Sequence, residues 1–256
     1  AASVHYANEY ADVETDALTD RTAFSGGSGA LADTGLSPRI AAVATVVSGA
    51  AGLLLVAAGI ASIGGRPLST TPAALLVLVL LVGWQYSLGP LRLAWHGLGE
   101  VTNAALGGAA LPLYGFAVVS GEATVVAALA TVPFALVVFV NLLETQWPDR
   151  EADAAVGKRT LATRWSPRRL RFLYVLASGA AAVATVALVG RVFPPVVAAA
   201  TLLPMVGLLF GVPRFTRREE PLPAVVTMVA LAATTTVGWG FVADPNLVSL
   251  SEWLAV

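Results

Sequence analysis

Residues 123–143 read ATVVAALATVPFALVVFVNLL, a run without a single ionisable side chain. An α-helix needs about 20 such residues to cross the hydrocarbon core of a bilayer. Comparable stretches occupy residues 40–63, 72–88, 101–120, 172–189, 194–212 and 222–243. Seven candidate spans result, joined by Gly/Pro turns such as Gly64-Gly65-Arg66-Pro67, Ser87-Leu88-Gly89-Pro90 and Phe193-Pro194-Pro195. The pattern predicts an all-α, polytopic transmembrane helical bundle. Gly49, Gly52, Gly107, Gly108, Gly207 and Gly211 lie inside spans, where small residues let helices approach closely.

Composition agrees. Hydrophobic residues make up 57% of the 256 and charged residues 12%, and the mean hydropathy is +0.77; a soluble domain carries roughly 25% charged residues. There is no cysteine and there are two histidines, His5 and His96, so thiolate chemistry is excluded and zinc is a poor expectation. No basic region followed by an apolar core marks a signal peptide. Residues 1–10 read as the last turns of a helix too short to span, so sequence is expected upstream of Ala1. The tail, 246–256, is expected to be a short interfacial helix with Trp253 at headgroup depth.

With alternating spans, the segments after Tyr10, Leu88, Leu143 and Val212 share one face. That face holds every basic residue except Arg66 and Arg191, which by the positive-inside rule makes it cytoplasmic. It also holds every acidic residue except Glu122, Asp244 and Glu252. Topology does not require those acids, so they are the first pointer to chemistry.

Two acidic clusters stand out. NEYADVETD (8–16), followed by Asp20-Arg21, places Asn8, Asp12 and Asp16 at i, i+4, i+8 on one helical face. DREADAAVGKRT (149–160) repeats the spacing with Asp149 and Asp153, then adds Gly157, Lys158 and Arg159. Hard carboxylate oxygens suit magnesium, which binds through one or two carboxylates plus substrate phosphate oxygens. Two facing pairs therefore suit a metal-bridged diphosphate, with Lys158 and Arg159 neutralising remaining phosphate charge. Singly, each cluster also fits a solvated juxtamembrane helix, and the basic pair also fits a topogenic role.

The segment 86–100, on the same face, contributes Tyr86, Arg92 and Glu100 as further substrate-binding candidates. Glu100 equally suits the N-terminus of the next helix, where a carboxylate is favoured. Trp84, Tyr86, Trp95 and Trp147 fit an aromatic belt by default. His96 reads as a loop hydrogen-bonder.

Together these elements resemble the UbiA superfamily of intramembrane prenyltransferases. Its first motif, Asn-Asp-x-x-Asp-x-x-x-Asp, is matched by Asn8, Glu9, Asp12 and Asp16, with Glu9 in place of the first Asp. Its second, Asp-x-x-x-Asp with a following Gly and a basic-Thr pair, is matched by Asp149, Asp153, Gly157, Arg159 and Thr160, Lys158 included. The resemblance implies nine transmembrane helices in one domain, residues 1–256 here lacking the first helix and most of the second. Within the superfamily, Tyr86 through Glu100 looks most like the 1,4-dihydroxy-2-naphthoate polyprenyltransferases of menaquinone biosynthesis, although Glu144-Thr145-Gln146-Trp147-Pro148 replaces their Asn-rich run.

The implied reaction is Mg2+-dependent transfer of a polyprenyl group from an allylic diphosphate to a small aromatic acceptor, on the cytoplasmic side of a multi-pass cell-membrane protein. Asp12, Asp16, Asp149 and Asp153 are the expected metal and catalytic residues. Asn8, Lys158, Arg159, Arg92, Tyr86 and Glu100 are expected to bind diphosphate and substrate, with the bilayer and no nucleic acid as further partner. A glycerol phosphate ether, 4-hydroxybenzoate or haem are alternative acceptors. A transporter would need ionisable groups at mid-membrane, whereas residues 40–63 and 172–189 carry no charge at all.

Overall fold

The computed structural model of the chain describes residues 1–19, 21, 24, 26–61 and 69–243. Asp20, the 64–67 turn with Arg66, Asp244, Glu252 and the 246–256 tail with Trp253 lie outside the described residues.

In order, the chain forms α1 (Ala2–Ala11), α2 (Val13–Asp16), α3 (Ala30–Thr34), α4 (Arg39–Ile60) and α5 (Thr70–Ser87). After a 3-10 turn (Leu93–His96), α6 (Gly99–Asn103) runs through a π turn (Ala104–Ala110) into α7 (Leu111–Ser120). Then come α8 (Val125–Ala155), α9 (Leu161–Arg164), α10 (Pro167–Ala187), α11 (Pro195–Gly211) and α12 (Leu222–Ala243). There is no β-strand among the described residues. Helices close every backbone hydrogen bond within the segment, the condition for lying in lipid.

Six helices are long and apolar enough to cross a membrane: α4, α5, the continuous α6–α7 rod, α8, α10 and α12. The seventh expected span, α11, has 17 residues and is about 26 Å long, at the short end for crossing. It packs against α12 along its length. Many large apolar side chains face outward, among them Leu54 (70% exposed), Leu55 (74%), Val119 (82%) and Leu203 (71%). In water such a surface would aggregate; here it is the lipid-facing surface.

Two departures from the expected pattern shape the site. The span ending at Leu143 and the acidic motif after it are one helix: α8 has 31 residues, about 46 Å against a hydrocarbon core of about 30 Å. Its last three turns, bearing Asp149, Arg150, Glu151 and Asp153, stand beyond the core on one face. The second departure is the π turn, which loosens the rod where Gly108 presses so closely on Ala135 of α8 that a Cβ would overlap that residue's Cα. Gly49 makes a similar approach, since a Cβ there would come within 2.6 Å of Trp84 Cζ2. A Cβ at Gly52 would meet nothing within 4 Å, so no close helix approach depends on this glycine.

The principal core joins α8 (Val137, Val140, Leu143), α10 (Leu170, Tyr174), α11 (Met205, Leu208) and α12 (Ala224, Leu231). Trp147, expected in an interfacial belt, belongs to this core instead, edge-on to Phe215 at 6.3 Å. Glu144 is buried there too, its Oε2 accepting the Ala224 N–H at 3.0 Å and so capping α12 from another helix. On the other side of the bundle Ser3 Oγ donates to Thr45 O, and Trp84 Nε1 donates to Ser3 Oγ, both at 2.8 Å, tying α1 to α4 and α5.

Candidate active site

The segments expected on one face do meet there. Ser87 Oγ at the end of α5 donates to Asn8 Oδ1 of α1 at 2.9 Å. The Arg159 N–H donates to Trp95 O at 3.0 Å, joining the loop after α8 to the 3-10 turn. The Leu161 N–H donates to Glu100 Oε1 at 2.7 Å. Arg171 Nη1 donates to Thr216 Oγ1 at 2.8 Å, and Arg150 pairs with Glu219 at 2.9 Å, bringing in the turn between α11 and α12.

Gly157 sets the geometry beyond α8. Its φ of +81° lies in the left-handed region that glycine adopts without steric cost. The chain reverses there, the Lys158 N–H bonds Asp153 O at 2.8 Å, and Thr160 caps α9 by accepting the Thr163 N–H.

This reversal separates the two basic residues expected to act together. Lys158 turns inward, 9% exposed, with Nζ 3.1 Å from Asp12 Oδ2 and 3.3 Å from Asp153 Oδ1. Burial pulls its ammonium toward a lower pKa, but Asp12 and Asp153 outweigh that and leave it raised. Arg159 is exposed. Arg92 stacks over Trp95 in its own loop, 3.8 Å from the ring centroid. Glu100 is fully buried and works as the cap of α9, a role its helix-end position had suggested for its own helix.

The acids gather around Lys158. Asp12 is 7% and Asp153 1% exposed. Asp16, in α2, is pushed up to about 7 by burial and by the neighbouring charges of Asp12 and Glu9. A glycine-rich loop that no sequence motif had singled out covers the cluster. Glu9 accepts from the Ser28 N–H (3.1 Å) and Ser28 Oγ (3.0 Å), the Gly26 N–H bonds Asp149, and Gly27 lies so close to the Asp16 carboxylate that a Cβ would overlap it. The run Gly26-Gly27-Ser28-Gly29, whose three glycines all have positive φ, was the available signal.

Asn8 also lines a cavity of about 530 Å³ that runs into the bundle past Tyr86, Asn103, Gly107 and Leu142. Tyr86 is therefore a cavity residue rather than a belt residue. Asn103 sits where the α-helix gives way to the π turn, a place that periodicity alone does not mark.

Does this site suit a divalent cation? Among the described residues no three carboxylate or imidazole groups converge on one point, and Lys158 fills the gap between Asp12 and Asp153. Yet Asp149 Oδ1 is buried with no hydrogen-bond partner, which is costly for an anionic oxygen without a counter-cation. The donors are all hard oxygens, the kind magnesium takes. The residues fit.

Fold and site together define a polytopic helical membrane enzyme with a cluster of acids around Lys158 at one end of the bundle and, next to Asn8, a cavity that runs between the helices. The chain belongs to the UbiA prenyltransferase family, whose model matches residues 1–233. It is a prenyltransferase, and its family transfers prenyl groups to aromatic acceptors. No curated protein and no solved structure matches the chain.

Proposed function

We propose that the protein transfers a polyprenyl group from an allylic diphosphate to 1,4-dihydroxy-2-naphthoate, with Mg2+, on the cytoplasmic face of the cell membrane. The observation that carries this reading is the joining of both aspartate motifs by Lys158, with Asn8, one helical turn before Asp12, lining the cavity.

Asp12, Asp16, Asp149 and Asp153 hold the metal-diphosphate. Bound Mg2+ supplies Lewis-acid stabilisation of the leaving diphosphate. Lys158, already buried among the acids, presents a positive charge where negative charge develops as the allylic C–O bond breaks. The isoprenoid tail lies in the cavity, where Tyr86 offers a ring face to the allylic cation and surrounding apolar groups keep water away. The new C–C bond forms at the acceptor carbon that bears the carboxylate. Carbon dioxide then departs and leaves its bonding electrons to the ring, while diphosphate takes the other electron pair.

The acceptor assignment rests on the likeness of Tyr86 through Glu100 to the naphthoate branch, and the cytoplasmic assignment on the arginines of that face. The test is product mass spectrometry after incubating the purified protein with a polyprenyl diphosphate, Mg2+ and separate acceptors. A decarboxylated prenyl-naphthoquinol is expected. A product from 4-hydroxybenzoate or a glycerol phosphate, with none from the naphthoate, would overturn the acceptor.

A further inference from the structure

Far from the cavity, a lipid-facing groove of about 320 Å³ runs between α10 and α11, lined by Val175, Ser178, Gly179 and Ala182 on one side and by Leu202 and Leu209 among others on the facing side. Its floor is apolar except for Ser178, whose Oγ is buried and has no hydrogen-bond partner.

Arginines lie just beyond the groove's lining residues, Arg171 one turn before Val175 and Arg214 two residues after Val212. Arg168 and Arg171 precede Val175, Ser178 and Gly179 at three- and four-residue spacings and so share their face of α10. Arg171 reaches across to Thr216 in the turn after α11, and Arg214, in the same turn, folds back on Phe210 O at 3.0 Å. None of these three arginines is in an ion pair among the described residues. Of the nearby acids, Glu219 is held by Arg150 and Glu220 is exposed.

We propose that this groove is a binding site for an anionic membrane phospholipid, with its phosphate among Arg168, Arg171 and Arg214 and one acyl chain between α10 and α11. Ser178 lies about 10 Å below Arg171 along the helix, near the depth where headgroup gives way to acyl chain. Positive-inside topology explains arginines at this face but not the groove beneath them. Basic pockets between helices are the sites at which membrane proteins hold acidic lipids.

The test is native mass spectrometry of the full chain released from nanodiscs containing equal phosphatidylglycerol and phosphatidylcholine. Wild type should retain phosphatidylglycerol in roughly tenfold preference. Arg168→Gln with Arg214→Gln should erase that preference. Gly179→Phe should abolish retention of both lipids, because a Cβ at Gly179 has no neighbour within 4 Å and the ring has the groove as its space. Soluble glycerol phosphate should not displace the lipid. Equal retention of the two lipids by wild type, or a Gly179→Phe variant that melts like wild type and still retains phosphatidylglycerol, overturns the proposal; so does displacement by glycerol phosphate, which marks a plain anion site.

Discussion

Lys158 Nζ lies 3.1 Å from Asp12 Oδ2, an ion pair between the loop after α8 and the end of α1. It is buried, and the same ammonium also serves Asp153 at 3.3 Å. One cation thus holds two anionic motifs together. Breaking a buried pair by removing one partner costs about 3–5 kcal/mol, because the remaining charges are stranded. Lys158→Met is therefore expected to lower the melting temperature sharply, and millimolar Mg2+ is expected to restore part of the loss by replacing the missing cation. A melting temperature unchanged by the substitution would contradict the structural role.

Asp16 supplies a pH dependence. Its carboxyl is raised to about 7 by burial and by Asp12 and Glu9, whereas an unfolded aspartate titrates near 3.9. In the metal-free protein the folded form therefore holds the proton more tightly. That contribution to stability is full below about pH 4 and is lost as pH rises through about 7. Mg2+ must compete with the same proton, so its apparent affinity should increase from pH 6 to pH 8. Titration of Mg2+ by its effect on melting temperature at both pH values checks this; an affinity that falls with pH would remove Asp16 from the metal-binding set.

Glu144 separates stability from catalysis. Its Oε2 caps α12 through the Ala224 N–H, away from the aspartates. Glu144→Ala leaves that N–H buried and unpaired, at about 1–3 kcal/mol. Glu144→Gln keeps an acceptor and should recover most of the stability. Both variants should keep the wild-type KM for prenyl diphosphate. A raised KM in Glu144→Gln, with melting unchanged, would place Glu144 in substrate binding instead.

Much of this was legible in the sequence, and the exceptions have physical causes. Hydropathy marks α4, α5, α8, α10 and α12 because lipid demands apolar side chains over a fixed length. Charge marks the site face: Asp149 and Asp153 keep the helical spacing within α8, whereas the helix expected through Asn8, Asp12 and Asp16 breaks at Asp12 and leaves Asp16 in the separate α2. The fates of Lys158 and Arg159 were not legible: adjacent residues with the same charge point to different places because Gly157 turns the backbone. The π turn follows from a close contact between Gly108 and Ala135, which only the packed bundle creates. The covering loop at 26–29 acts largely through backbone N–H groups, with the Ser28 hydroxyl as its one side-chain contact to Glu9, so that only its glycines mark it.

The most direct test of the central claim, that the two aspartate motifs jointly hold a metal-diphosphate, is prenyl transfer by Asp149→Asn and Asp12→Asn compared with wild type across a Mg2+ titration. Each replacement keeps size and removes charge. Activity is expected to fall by about a hundredfold or more in each variant, with the Mg2+ requirement shifted to higher concentration and the far-ultraviolet spectrum unchanged. Wild-type turnover at wild-type Mg2+ concentrations in either variant would contradict the account.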